Sequence, residues 1–391
     1  MMTKELENFS FNMEKLIKNS DNIYIIGHND PDFDALGAAV GMAEVCKVLG
    51  KDSKIIMNED EFTLQPAVKL LKDILEKYYE FIDLEEYIDE IRATDKTIPH
   101  YSFAQLVEED NNYFLKRKII PKSLLIIVDT NNVHLLSNKE FLRNYSNILI
   151  VDHHEKIDDQ RLKRATSIID TSYSSACEIV GSILHQYEKK YSKELALALA
   201  SGIKLDTDTF KRNTTENTYN TYGVFKQNGV TDEDIRKIFR RDFESDKLVM
   251  NLVFNNGNAK EFTNLLKNHN VSIVLNRSNP GQLYKPEMIS QAADLRQDYD
   301  DVDASIVLGY TTESDDSKNV KISIRTNGYV DGGKLMKSFA KGKDNKSGGG
   351  SIISAAALVK NSDLLEEEQK LIEFLDSVKT DDYKVKTKIK K

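Results

Sequence analysis

Three short apolar runs each end directly on aspartate or histidine. IYII (23–26) runs into GHNDPDFD, with His28, Asp30, Asp32 and Asp34; SLLIIV (123–128) stops on Asp129; NILIV (147–151) stops on Asp152, His153 and His154. An uninterrupted apolar run of this length, bounded by turn residues, reads as a strand buried on both faces, as in a parallel sheet covered by helices. The carboxyl ends of parallel strands share one edge, and ligands bind in the crevice outside it. Three strands therefore deliver their acidic and imidazole groups to one place.

The rest of the chain fits an α/β fold with a mainly parallel sheet. ALGAAVGMAEVCKVLG reads as a helix stopped by Gly50, and KIIM (54–57) as a further strand. The charged stretch of about 61–117 has helical spacing and reads as a helical insertion. ELALALASGIKL is a helix whose end, LDTDTF, brings Asp206 towards the same edge and leaves Asp208 as a turn residue. The asparagine-rich stretch 244–270 reads as a connector. Beyond it VSIVL, ASIVLGY and VKISIR read as strands, and a glycine cluster is followed by SIISAAALV, read as a helix. The expectation is a larger first domain over 1–243, a smaller α/β domain over 271–380 and a basic tail over 381–391.

The bulk properties remove several classes of function. A net charge of −9 over 391 residues offers no global basic field for duplex DNA. Cys46 and Cys177 lie in apolar segments, form no CxxC pair and fit a reducing cytoplasm. The charged start has no signal-peptide core, and no run reaches the roughly 18 apolar residues of a membrane span.

Crowded carboxylates repel one another and resist desolvation. Singly, each is a turn former or helix N-cap. Local turn chemistry gives no reason for all of them to meet at one sheet edge, whereas a bound cation does. Carboxylates with imidazoles and no thiolate suit Mn²⁺ first and Mg²⁺ second. So many carboxylates invite two ions about 3.5–4 Å apart, sharing an aspartate and activating a water, an arrangement suited to phosphoester hydrolysis.

These motifs, in this order, resemble those of the DHH phosphoesterase superfamily: HNDPDFD, the strand ending at Asp129, VDHH (151–154) and IKLDTDTF. The resemblance implies that His28, Asp32 and Asp206 hold one metal and Asp34 and His153 the other, with Asp129 bridging. It further implies that His154 faces the scissile phosphate and Asp152 orients the neighbouring imidazoles. The C-terminal part resembles the DHH-associated substrate-binding domain. There KISIRTNG would offer Arg325 to a phosphate, and Gly348, Gly349 and Gly350 would form an anion-binding loop ahead of a helix. Ser351 stands where the family usually has a histidine. YSSACEIV resembles a further family segment, in which Ser174 and Ser175 have a capping role first and a substrate role second.

Within the family, GHNDPDFDALGAAVGM and the GGGS loop look most like the catalytic half of GdpP-type cyclic-di-AMP phosphodiesterases, which open the ring to linear pApA. The alternatives are a nanoRNase and pAp phosphatase acting on short oligoribonucleotides, and a catalytically weak dinucleotide sensor. Each makes a small nucleotide the partner, with no duplex DNA and no membrane span; a homodimer stays open.

Overall fold

The computed structural model describes residues 3–57, 66–83, 86–87, 120–136, 142, 145–187, 190–240, 242–254, 260–262, 273–299, 302–312, 318–342, 344–377 and 383. The chain divides into two compact units, Met1–Arg240 and Arg241–Lys391.

In the first unit, helix α1 (Lys4–Lys18) precedes strand β1 (Asn22–Ile26), helix α2 (Phe33–Val48) and strand β2 (Lys54–Ile56). Helix α3 (Pro66–Leu75) leads to β3 (Glu80–Ile82), followed by β4 (Ile120–Val128), β5 (Tyr145–Asp152) and β6 (Thr166–Ile169). Helices α4 (Ala176–His185), α5 (Lys193–Asp206), α6 (Glu216–Gln227) and α7 (Asp232–Ile238) complete it. The six strands form one parallel sheet in the order β3-β2-β1-β4-β5-β6. The order reverses between β1 and β4, and at such a switch point the two strand ends open a crevice.

The apolar runs are buried on both faces, as their composition requires. Ile23, Ile25, Leu124, Ile126 and Val151 pack under α2, α4 and α5, while Tyr24, Ile26, Leu125, Ile127 and Ile150 form a second core with Tyr87 and Tyr145. Helix α2 is apolar all round and buried throughout from Phe33 to Cys46, which is why it reads as a continuous apolar stretch.

The helical reading of 61–117 holds over α3 but not over EFI, which is β3. Ile55 and Ile56 of β2 pair with Phe81 and Ile82, and burial of Ile82 in the sheet overrides local helical spacing. Most of the remainder of that stretch lies outside the described residues.

The second unit is a six-stranded mixed sheet in the order β11-β12-β10-β9-β8-β7. Its elements are α8 (Phe243–Phe254), β7 (Lys260–Phe262), β8 (Ile273–Arg277), α9 (Pro286–Gln297), β9 (Ala304–Thr312), β10 (Lys318–Thr326), α10 (Gly332–Ala340), β11 (Lys346–Gly350), β12 (Ser354–Val359) and α11 (Leu364–Ser377). Two expectations are corrected here. The start of the supposed connector is helix α8, whose Val249, Leu252 and Val253 pack against Met288, Ile289 and Ala292 of α9; its apolar face outweighs the asparagines. SIISAAALV is not a helix: Ser354–Val359 is a strand antiparallel to β10 and β11, with alternating burial along SAAALV. Alternation with period two seats Ala355, Ala357 and Val359 in the core, which a helix could not do. Apart from Tyr383, the basic tail lies outside the described residues.

Candidate active site

Strand β1 ends at Ile26, and the chain turns through His28 into α2. Asp32 is the N-cap of α2, accepting from the backbone N–H groups of Asp34 (2.8 Å) and Ala35 (3.1 Å) through Oδ1. The capping role expected of a strand-end aspartate is therefore real, and it leaves Oδ2 for a second partner. Asp34 in the first turn of α2 is fully buried. Its carboxylate accepts from Ala176 N (2.7 Å) and Cys177 N (2.8 Å), the first residues of α4. Gly202 of α5 makes room for it, since a Cβ there would stand 2.7 Å from Asp34 Oδ1.

Asp129 follows β4 with φ +57°, a left-handed conformation uncommon for a residue with a side chain, held by its N–H bonding to Val151 O at 2.9 Å. At the end of β5, buried Asp152 accepts from the His154 backbone (3.2 Å), lies 2.8 Å from His154 Nδ1, and also accepts from Asn131. Asn131 in turn donates to Glu155 O (3.1 Å) and accepts from Ile157 N (2.7 Å), stapling the loop that carries both histidines. Sequence reasoning missed Asn131, although a buried polar residue just past a strand end is the available signal.

Asp206 is the last residue of α5. The turn after it keeps three consecutive residues, Asp208, Thr209 and Phe210, at φ +46°, +60° and +64°. Each such residue costs about 1–2 kcal/mol. Thr207, the C-cap, holds the turn by donating to Ile203 O (2.7 Å) and accepting from Phe210 N (3.0 Å). Strained backbone clusters at functional sites, and here it adjoins the Asp206 carboxylate.

Together the strand ends assemble three overlapping groups of ligand-type atoms: His28, Asp32 and Asp129; Asp34, Asp129, His153 and Asp206; and Asp129, His153 and His154. Asp129 belongs to all three. Its Oδ2 is 3.5 Å from His28 Nε2, and its Oδ1 is 3.5 Å from His153 Nε2 and 3.7 Å from His154 Nδ1. Asp206 approaches His153 at 2.9 Å and lines one cavity with His28 and Asp32, so it reaches towards both sides of the cluster.

The electrostatics are those of a site with too much negative charge for its own residues. Burial, then Asp129 and Asp206, push the Asp32 carboxyl up to about 6 and Asp34 well above its ordinary value. Burial alone would lower the His153 imidazole, but Asp129, Asp206 and Asp34 push it up to about 11. Burial also opposes ionisation of Asp129, yet His153 and His28 hold it well below the carboxylate range. Among the described residues the ion-pair partners of these four carboxylates are histidines only. Asp129 Oδ1 and His153 Nε2 are buried and make no well-aligned hydrogen bond, although Asp206 lies 2.9 Å from the imidazole. A divalent cation fits this donor set, replacing protons on the imidazoles and pairing with the crowded carboxylates.

Ser175 caps α4, accepting from Glu178 N at 3.0 Å, while Ser174 donates to the Glu178 carboxylate. In the second unit Arg325 on β10 grips Asp294 of α9 through Nε and Nη2. Its register partner is Ser354, so it sits at the same end of the sheet as the Ser351 turn. Gly348–Gly350 is not a loop ahead of a helix, as expected, but part of edge strand β11, packed on α10. A Cβ on Gly348 would stand 2.5 Å from Met336 O, and Gly350 has φ +135°. Gly348 admits α10 onto the strand, and the first turn of that helix lies against the end of β11, where Gly332 N–H bonds Ile352 O at 2.8 Å. Ser351 closes the β11–β12 hairpin, its N–H bonding Ser354 O at 2.8 Å and its hydroxyl accepting from Ser354 N at 3.1 Å.

A parallel α/β unit with a carboxylate–imidazole cluster at its switch point, followed by a mixed-sheet unit, is the build of a DHH phosphoesterase. The chain belongs to this family: residues 22–203 match the DHH family, N-terminal domain, and residues 268–380 match the DHHA1 domain. It is 24% identical over 368 residues to the cyclic-di-AMP phosphodiesterase PdeA of Listeria monocytogenes, covering 93% of this chain and 49% of that protein. The chain thus spans about half the length of that relative. It is 27% identical over 194 residues to the probable bifunctional oligoribonuclease and PAP phosphatase NrnA of Streptococcus mutans, covering 50% of this chain and 48% of NrnA. An exopolyphosphatase-related protein from Bacteroides fragilis shares the fold, with a TM-score of 0.69 at 19% identity over 95% of this chain and 97% of its own. Among the described residues no helix is long and apolar enough to cross a membrane.

Proposed function

We propose that the chain is a divalent-metal-dependent phosphodiesterase that hydrolyses cyclic-di-AMP to linear pApA. The observation that carries the hydrolase reading is the group of Asp129, buried Asp34 and half-buried Asp32 and Asp206, with no lysine or arginine among their partners in the described residues. Similarity to PdeA across nearly the whole chain supports the choice of substrate.

His28, Asp32, Asp34, Asp129, His153 and Asp206 are the residues that would hold two ions, Mn²⁺ first and Mg²⁺ second. When bound, the ions activate a water and neutralise charge on the phosphate. The chain's own residues do the rest. Asp129 belongs to every candidate ligand group, so its carboxylate would be the one the ions share. Asp152 fixes the His154 ring through Nδ1, turning the other ring nitrogen to the cavity, and its hydrogen bond raises the imidazole's affinity for a proton. His154, half-exposed in the cavity, stabilises the developing charge and supplies a proton to the departing 3′-oxygen as the P–O3′ bond breaks. Arg325, Gly348, Gly349, Gly350 and Ser351 form the proposed substrate end of the second unit. For Arg325 to take a phosphate it must share its fork with Asp294 or release it.

Similarity to NrnA favours one second reading, turnover of short linear oligoribonucleotides or pAp. A Mn²⁺-dependent assay offering cyclic-di-AMP, pApA, pAp and short oligoribonucleotides side by side separates the two. Conversion of the cyclic substrate to pApA at a competitive rate supports the first, and preference for linear substrates replaces it with the second. Tight binding of every ligand with no turnover would make the chain a sensor instead.

A further inference from the structure

We propose that Leu135 and Ile157 form an apolar shelf that holds a nucleobase beside the scissile phosphate and selects nucleotides over inorganic phosphate chains. The inference rests on the hydrolase reading above and deepens it. A cavity of about 300 Å³ at the cluster is lined by His28, Asp32, Asp129 and His154 and, on the same surface, by Leu135 and Ile157. Both aliphatic side chains stand in solvent, 48% and 46% exposed. A single exposed leucine needs no explanation. Two large aliphatic groups in the cavity that holds the ligand cluster are a different matter.

Both are tied to the metal-site loops by their backbones. Leu135 O accepts from Asn29 N at 2.7 Å, the residue after His28. Ile157 N donates at 2.7 Å to Oδ1 of Asn131, the amide that also holds Asp152. The framework that positions the ligands therefore also positions the two apolar groups. A dinucleotide brings an anionic centre flanked by flat, weakly solvated bases, and a base next to the reacting phosphate needs apolar surface close to the charged groups. A polyphosphate has no part that gains from such a surface.

The test compares wild type, Leu135→Ala/Ile157→Ala and the conservative Leu135→Met/Ile157→Val, all loaded with Mn²⁺. The substrates are cyclic-di-AMP and analogues with one or both nucleosides abasic. The alanine pair is expected to raise KM for cyclic-di-AMP about tenfold with kcat held, whereas on the doubly abasic analogue it matches wild type. The conservative pair should stay near wild type on every substrate. Calorimetric Kd values for phosphorothioate-linked versions of the same ligands give a readout independent of turnover and should show the same base-dependent loss. Equal losses on cyclic-di-AMP and the doubly abasic ligand, or no loss on any, overturn the shelf while leaving the hydrolase standing. If wild type does not hydrolyse cyclic-di-AMP, that reading fails, and the Kd comparison alone decides the shelf.

Discussion

Both units bury charge, but they treat it in opposite ways. Among the described residues of the second unit each buried acid has a basic partner: Glu367 takes Lys346 and Lys370, and Glu368 takes Arg277 at 2.8 Å. In the first unit, Asp32, Asp34, Asp129 and Asp206 converge with histidines as their only ion-pair partners among the described residues. Buried charge persists where it is paired. The second unit supplies its own cations in its sequence, whereas the first unit's cluster would take its cations from solution. Elsewhere in the first unit the buried Glu178 carboxylate is satisfied by Ser174, Asn217 and Thr218, so it is the crowding of four carboxylates that tells against reading the cluster as packing.

The largest effect that sharpens the contrast is at the shared carboxylate. Asp129→Asn preserves size, and asparagine tolerates the left-handed conformation, so the fold should survive. Turnover should fall by about a thousandfold or more; near wild-type rates would break the two-metal assignment. Next comes the self-compensated side. Lys346 and Glu367 have side chains 2% and 1% exposed, and Lys346→Met should destabilise the protein by about 1–3 kcal/mol in denaturant melts, because among the described residues the buried carboxylate keeps only Lys370 and Ser362. The same variant should retain its Mn²⁺ binding. Loss of both together would mean that the contrast between the units is false.

A smaller effect belongs to Asn131. Asn131→Ala frees Asp152 and the loop beyond it, and kcat should drop about 10–100-fold with a smaller change in stability. The weakest is a pH effect. Burial opposes ionisation of Glu367, but Lys346 and Lys370 hold its carboxyl below the ordinary 4.5. A lowered folded-state pKa contributes stability above the unfolded value and loses it as pH falls through the folded one. Melting temperature should therefore decline below about pH 4.5 in wild type, and less steeply in Glu367→Gln.

The parallel α/β fold and the gathering of the strand-end side chains were both legible in the sequence, while several individual elements were not. His28, Asp129 and His153 follow apolar strands that can only be buried, and parallel pairing forces such strand ends onto one edge. Helix α2 and its stop at Gly50 were readable from an apolar run and a glycine at φ +77°. What local pattern could not show was set by tertiary partners. EFI became β3 because β2 offers it a register, and SAAALV became β12 because β10 and β11 flank it. The glycines of β11 resembled an anion loop, yet they pair with β12 as a strand, and Gly348 is where α10 packs too closely for a side chain. Asn131 and the left-handed turn after Asp206 carry no pattern beyond their own neighbourhood. Their roles exist only once β4, β5 and α5 have met.

The central claim is that the first unit's buried carboxylates are incomplete without ions. It is tested most directly by titrating metal-free wild type and Asp129→Asn with Mn²⁺ in a calorimeter, with the ions bound per chain counted. Two ions per wild-type chain, with proton release and a collapse of binding in Asp129→Asn, are predicted. No saturable binding to wild type, or binding untouched by the substitution, would contradict it.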